Sequence, residues 1–360
     1  MRISQVLSSA GYERNVDHRV WQRPDFGSIA YNDGDENENR LLGTLRQSTD
    51  VSVFSVELAA ACLDWPSRYH LSSERANILR PFAERLRAEA KVLEIGAGCG
   101  AVTRYLGETG AQVLAVEGSL RRATIARERT RELENVVVLA ERFQDFDLDE
   151  RFDVITLIGV LEYASLFSDA SDPAVDMLRR ARALLADGGR LVVAIENKLG
   201  LKYFAGVPED HLGEPMVGIE NRYAAKGART YGRAELDALL RTAGFGYREF
   251  MVPLPDYKMP ATIVSARGCN VDPGFFDVGT LAAQSVRRDP QLTPTTFNLQ
   301  RVWREVAANG LTADLANSFL VEASVEGGVE PADVLAWHYS TQRRARFARD
   351  RMPGLAHAET

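Results

Sequence analysis

One stretch narrows the folds open to this chain more than any other: Val92-Leu93-Glu94-Ile95-Gly96-Ala97-Gly98-Cys99-Gly100. Val92, Leu93 and Ile95 predict a buried strand. Gly96, Gly98 and Gly100 let the backbone turn sharply and let a ligand approach with no Cβ in the way. From Ala101 to Gly107 the chain can continue as a helix whose first N–H groups point back over the glycines. Strand, glycine turn and helix in that order form a cradle for a nucleotide-bearing cofactor.

The glycines alone do not choose the cofactor, because with Ala101 they also satisfy the dinucleotide fingerprint. Two carboxylates narrow the choice. Glu94 sits inside the strand, a costly place for a charge unless loop or ligand donors satisfy it. Glu117 closes a second apolar run, Val113-Leu114-Ala115-Val116, where it can accept both hydroxyls of a ribose. Glu117 suits NAD and S-adenosylmethionine equally; Glu94 favours the latter.

Four ordered segments, Val92 to Gly107, Val113 to Ser119, Phe152 to Tyr163 and Leu184 to Val193, resemble the core motifs of class I S-adenosylmethionine-dependent methyltransferases. A finer resemblance is to methyltransferase regions of bacterial surface-polysaccharide (O-antigen) biosynthesis proteins. It runs through Tyr69-His70-Leu71-Ser72, the segment Ile195 to Tyr203, and Pro208-Glu209-Asp210-His211. The resemblance implies an α/β, Rossmann-like, doubly wound sheet of seven strands, mostly parallel with an antiparallel last strand. Tyr247 to Val252 and Ala261 to Ser265 would be its final pair. It also implies S-adenosylmethionine as cofactor, held by Glu94, Gly96, Ala97, Gly98, Gly100, Glu117 and Gly118. Arg142 and Phe143 would lie at the adenine, and Ile158 and Gly159 at the end of the fourth strand. Independently, alternation of buried strands with amphipathic helices predicts a parallel sheet with right-handed crossovers.

A formal charge of −7 does not advertise a nucleic-acid partner. No uncharged run reaches membrane-spanning length and no signal peptide is evident, so a cytoplasmic protein without membrane insertion is expected. Cys62, Cys99 and Cys269 are too few and too scattered for a disulfide framework or a zinc site, and no metal is expected. A homodimer stays open. The expected organisation is an N-terminal cap over residues 1–88, a methyltransferase core over 89–268 with a substrate insertion at 196–232, and a mainly helical extension over 269–360. Asn32 to Asn39 reads as a solvated acidic loop, and Arg343 to Arg351 as a solvated basic helix end.

A sulfonium makes its methyl group electrophilic, so the protein has mainly to align an acceptor and exclude water. An alcohol acceptor also needs a base. The candidates are His211, Glu162 and Asp210, with His211 first because its ordinary pKa lies near neutrality and Asp210 could orient it. Tyr69, His70, Tyr163, Asn197, Lys198, Tyr203, Arg222, Tyr223, Arg229 and Tyr257 are the candidate acceptor contacts. Arginine forks among tyrosine rings suit a small-molecule or glycan acceptor with a sugar-like body and an anionic group. The expected activity is O-methylation of a carbohydrate hydroxyl. Methylation of a secondary-metabolite O, N or C atom and an NAD-dependent sugar oxidoreductase are the alternatives.

Overall fold

A computed structural model of the chain describes residues 3–29, 34–168, 170–327 and 333–340. Eleven strands among them make one sheet: β1 (Glu13–Asn15), β2 (Val20–Gln22), β3 (Lys91–Ile95), β4 (Gln112–Glu117), β5 (Val136–Ala140), β6 (Phe152–Ile158), β7 (Leu185–Glu196), β8 (Tyr247–Leu254), β9 (Thr262–Val264), β10 (Ser318–Ser324) and β11 (Ala336–His338). Their order is β1-β2-β5-β4-β3-β6-β7-β10-β8-β9-β11. The run from β5 to β7 is parallel throughout.

These strands are apolar on both faces because helices cover both. Leu93, Leu114, Ile155 and Leu191 enter one core, while their neighbours Val92, Val113, Val154 and Val192 enter the other. The alternation follows from the two-residue period of a strand. The covering helices begin where capping residues allow. Ser119 accepts the Arg122 N–H at the start of Leu120–Arg129, and Asp172 accepts the Val175 N–H ahead of Pro173–Ala183.

Six of the seven expected strands lie at the centre of the eleven-stranded sheet, and the place of the seventh is taken by another. The slot beside β7 is filled by β10, antiparallel to both β7 and β8, and not by Ala261 to Ser265. Thr262–Val264 pairs on the far side of β8 and carries β11 in turn. Every residue of β10 is buried, with Phe319, Val321 and Ala323 in one core and Leu320 in the other. A core boundary at residue 268 would therefore remove a central strand. The extension is helical only in part, with Val278–Ser285 packed on Leu299–Ala308 before the chain returns to the sheet.

At the opposite edge, β2 pairs in parallel with β5, so part of the N-terminal cap extends the sheet. The acidic stretch corrects another expectation: Asp35–Gln47 is a helix. Asp35 and Glu38 occupy its first turn, where the exposed N–H groups favour negative charge, and Glu38 is buried against Arg122 at 3.2 Å. Asn32, Asp33 and the Arg343 to Arg351 tail lie outside the described residues. Among the described residues no helix is long and apolar enough to cross a membrane.

Candidate active site

A cavity of about 450 Å³ opens at the C-terminal ends of β3, β4, β6 and β7, the crevice in which open α/β sheets bind ligands. One end is the glycine turn. Gly96 and Ala97 donate their N–H groups to the Val116 carbonyl at 2.9 and 3.0 Å, tying the turn to β4. Gly96 has φ +75°, and a Cβ there would lie 2.4 Å from Val160 Cγ2. Gly100, with φ +83°, packs so closely that a Cβ would lie 2.7 Å from Ala126 Cα. Gly100 does not line the cavity; it seats the Ala101–Glu108 helix against its neighbour.

The two carboxylates flank this turn. Glu117 accepts the Gly98 N–H at 2.8 Å and the Ser119 N–H at 2.9 Å. Glu94 is only 3% exposed, and its Oε2 has no hydrogen-bond partner. Burial, reinforced by Glu117, pushes the Glu94 carboxyl up to about 8. Ala97, Gly98, Gly118, Ile158 and Gly159 line the cavity as expected, as do Arg142 and Phe143. Arg142 pairs with Asp145 at 2.6 Å, while Phe143 stacks on Phe146 with centroids 6.3 Å apart.

The other end is a buried charged group beneath an aromatic roof. The Trp65–Leu71 helix brings Trp65, Tyr69 and His70 to the cavity, with the Trp65 and Tyr69 rings 5.5 Å apart. Below them lie Glu162, just past β6, and Glu196, the last residue of β7. Glu196 Oε1 accepts from Lys258 Nζ at 2.5 Å and from the Tyr257 hydroxyl at 3.3 Å. Its Oε2 faces His211 Nε2 at 3.4 Å, and His211 Nδ1 meets the Tyr163 hydroxyl at 3.0 Å. Glu162 is 2% exposed, and its Oε2 has no hydrogen-bond partner.

Burial alone would raise Glu196, but the Lys258 ammonium and the His211 imidazole overcome it and hold the carboxyl well below its usual range. Burial would lower His211, yet Glu196 and Glu162 raise it to about 9. Glu162, buried and close to Glu196, is raised to about 8. The expectation of an imidazole poised near neutrality is thus corrected, because Glu196 holds the ring as a cation. Asp210 does not orient it. Asp210 lines the cavity but pairs with Lys202 at 2.9 Å and with the Tyr203 hydroxyl, since consecutive side chains point in different directions.

Residues 93–191 match the family model described as methyltransferase domain. That match spans 99 of the chain's 360 residues. S-adenosylmethionine is the donor expected from the sequence. Among curated proteins, the demethylmenaquinone methyltransferase of Tropheryma whipplei is 36% identical over 109 residues. That match spans 29% of this chain and 41% of the relative's length. Among solved structures, the CcbJ methyltransferase of Streptomyces caelestis is 19% identical, covering 77% of this chain and 100% of that one with a TM-score of 0.43. A phosphoethanolamine N-methyltransferase of Haemonchus contortus is 15% identical, covering 70% and 52% with a TM-score of 0.40.

The structure fits the donor on its own terms. The glycine-turn end offers an orphaned buried carboxyl oxygen at Glu94, a carboxylate at the end of β4, and a turn in which Gly96 and Gly100 leave no room for a Cβ.

Several candidate acceptor contacts do not reach the cavity. Asn197 is fully buried, its Nδ2 donating to the Asp314 and Ala316 carbonyls at 2.8 Å each and its Oδ1 accepting the Leu199 N–H at 3.0 Å. It pins the end of β7 to the segment before β10. Asn197→Ala is expected to cost about 2–4 kcal/mol of stability, because one buried and two partly buried hydrogen bonds are lost, with chemical denaturation as the measurement. Lys198 pairs with Glu235 at 2.7 Å, Arg222 with Glu220 at 2.6 Å, and the Tyr223 hydroxyl meets Thr230 at 2.6 Å. Arg229 lies against the Tyr231 ring, and Tyr203 is buried on Asp210. Tyr69, His70, Tyr163 and Tyr257 do line the cavity.

Sequence reasoning missed Glu196, Lys258 and Arg75 as cavity residues. Glu196 had a usable signal: an acidic residue closing a buried parallel strand faces the same crevice as Glu94 and Glu117. Lys258 and Arg75 had none, because loop packing places them; Arg75 Nη1 donates to the Lys258 carbonyl at 2.5 Å.

Proposed function

We propose that this chain transfers a methyl group from S-adenosylmethionine to a hydroxyl of a carbohydrate or carbohydrate-bearing metabolite. The observation that carries the reading is a single cavity with a glycine-turn cradle at one end and buried Glu162 and Glu196 with half-buried His211 at the other, where Trp65 and Tyr69 also line it. Glu94 takes the donor's ammonium group, Glu117 its ribose diol, and Phe143 lies at its adenine. The bound sulfonium supplies an electrophilic methyl group. The protein's part is to aim an acceptor oxygen at it, keep water out and receive the proton.

The acceptor end supports a neutral polyol. Aromatic rings offer an apolar face to a sugar ring, and the carboxylates below accept from its hydroxyls. The anionic acceptor group expected from the sequence loses its support. Lys198 and Arg222 are ion-paired away from the cavity, and Lys202 is enclosed by Asp210 and Asp256.

S-adenosylhomocysteine at a hundred times its Kd should stabilise the folded chain by about 2.7 kcal/mol, and NADH should not. A melting curve unmoved by the former, or moved equally by both, overturns the donor assignment. Labelled methyl transfer to sugars and nucleotide sugars, with deoxy analogues as controls, tests the acceptor. Transfer that survives removal of each hydroxyl in turn overturns O-methylation.

A further inference from the structure

The acceptor end holds a grouping that the proposed methyl transfer does not by itself require. Glu162 follows β6, Glu196 closes β7 and His211 comes from the insertion after it, so three separate elements converge. Each presents one ligand atom, and these atoms all lie within 4.8 Å of one another. We infer that Glu162, Glu196 and His211 form a binding site for one divalent cation at the acceptor end of the cavity. The inference rests on the reading of this end as the acceptor site for what the cation does, and on the three side chains alone for its presence.

Four observations point the same way. Glu196 divides its oxygens, with Oε1 taken by Lys258 and Tyr257 while Oε2 meets only His211 Nε2, at 3.4 Å. That separation is long for a charge-assisted hydrogen bond, which runs at about 2.7–2.9 Å. It equals the spacing of two ligand atoms around one ion with bonds of about 2.1 Å in a tetrahedral arrangement.

The second observation is the Tyr163 hydroxyl, 3.0 Å from His211 Nδ1. A cation between the carboxylates would take the place of the Nε2 proton that Glu196 holds in the ion-free protein, and Nδ1–H donating to the Tyr163 oxygen would then orient the ring, as the outer partners of a metal-bound histidine do. The third is Glu162, nine-tenths buried and more, which lines the cavity and whose Oε2 has no hydrogen-bond partner among the described residues. A buried carboxylate oxygen left bare is costly, and a cation removes that cost.

The fourth is charge. In the form that binds an ion, with both carboxylates ionised and the imidazole neutral, the carboxylates against the Lys258 ammonium carry one net negative charge. A divalent ion reverses it to one positive charge, which the alkoxide of a bound acceptor would neutralise. One imidazole and two carboxylates suit Mn²⁺, Mg²⁺ or Zn²⁺, and the coordination positions facing the cavity would take water or acceptor hydroxyls. The site would thus select acceptors able to offer hydroxyl oxygens to an ion. No sequence spacing announces it, because its ligands stand 34 and 15 positions apart on three elements.

The test uses the full chain, stripped with a chelator, titrated with Mn²⁺ and followed by loss of the free-ion paramagnetic resonance signal. Wild type should bind one Mn²⁺ per chain, and Glu162→Gln and His211→Asn should each weaken it at least ten-fold. Stabilisation by S-adenosylhomocysteine, measured in parallel, shows that each variant is folded and keeps the donor end separate. Absence of Mn²⁺ binding by wild type overturns the site, as does equal binding by either folded variant, which would place the ion elsewhere. Mn²⁺ binding without response to S-adenosylhomocysteine upholds the site and overturns the donor reading; the reverse result upholds the donor and overturns the site.

Discussion

Glu162→Gln is expected to lower methyl transfer by about 10²–10⁴-fold, most strongly above about pH 8, where the wild-type carboxyl is ionised and can take the acceptor's proton or hold a cation that polarises the acceptor hydroxyl, while affinity for S-adenosylhomocysteine changes by less than about two-fold. The split follows from position. Glu162 lines the end of the cavity proposed for the acceptor and has an oxygen without a hydrogen-bond partner among the described residues, whereas Glu94 and Glu117 line the other end. His211 is a weaker candidate for the same duty, because Tyr163 and Glu196 engage both of its ring nitrogens. Glutamine keeps the shape but cannot accept a proton, so single-turnover rates should fall with the binding isotherm intact. A folded variant with unchanged turnover would remove Glu162 from the chemistry.

Glu94→Gln acts at the opposite end and should weaken donor binding by about 10–100-fold, the worth of a charge-assisted hydrogen bond of about 1.5–3 kcal/mol. Its pH dependence is the sharper test. Burial, with Glu117 adding to it, places the Glu94 carboxyl near 8 in the ligand-free protein, so the group is protonated at neutral pH. Binding a ligand ammonium favours the carboxylate and releases that proton. Affinity should therefore tighten as pH rises toward 8 and level off above, with the variant flat over the same range. For stability the sign is opposite. A folded pKa above the ordinary value of 4.5 means that the folded state holds the extra proton between 4.5 and about 8. Stability contributed by Glu94 thus falls as pH rises through that window. Calorimetric titration at several pH values checks the first effect, and denaturant melts of both forms check the second.

The cofactor end of the cavity was legible because its determinants are local. Glu94 to Gly100 are consecutive, Glu117 closes the next strand, and the positive φ angles of Gly96 and Gly100 are conformations that only glycine adopts without strain. The acceptor end was legible in part. Glu162, Tyr163 and His211 do line the cavity, but His211 was matched with its neighbour Asp210 when its partner is Glu196, 15 positions earlier. The basic residues of the insertion looked available for an anionic substrate until Lys198 and Arg222 were seen to face Glu235 and Glu220. Which carboxylate a lysine or arginine meets depends on loop packing, and a loop has no period from which to read it.

By itself the sequence determined the α/β alternation, the parallel run from β3 to β7, the helix starts at Ser119 and Asp172 and the carboxylates flanking the glycine turn. Each of these follows from residues within a few positions of one another. Only the tertiary structure decided that Ser318–Ser324 fills the slot between β7 and β8, that Asn197 pins the chain there, and that Glu162, Glu196, His211 and Lys258 meet beneath Trp65 and Tyr69. Those contacts join residues tens to more than a hundred positions apart. Their partners are chosen by whichever arrangement closes the core and satisfies its buried charges, a condition on the whole chain that no local pattern records.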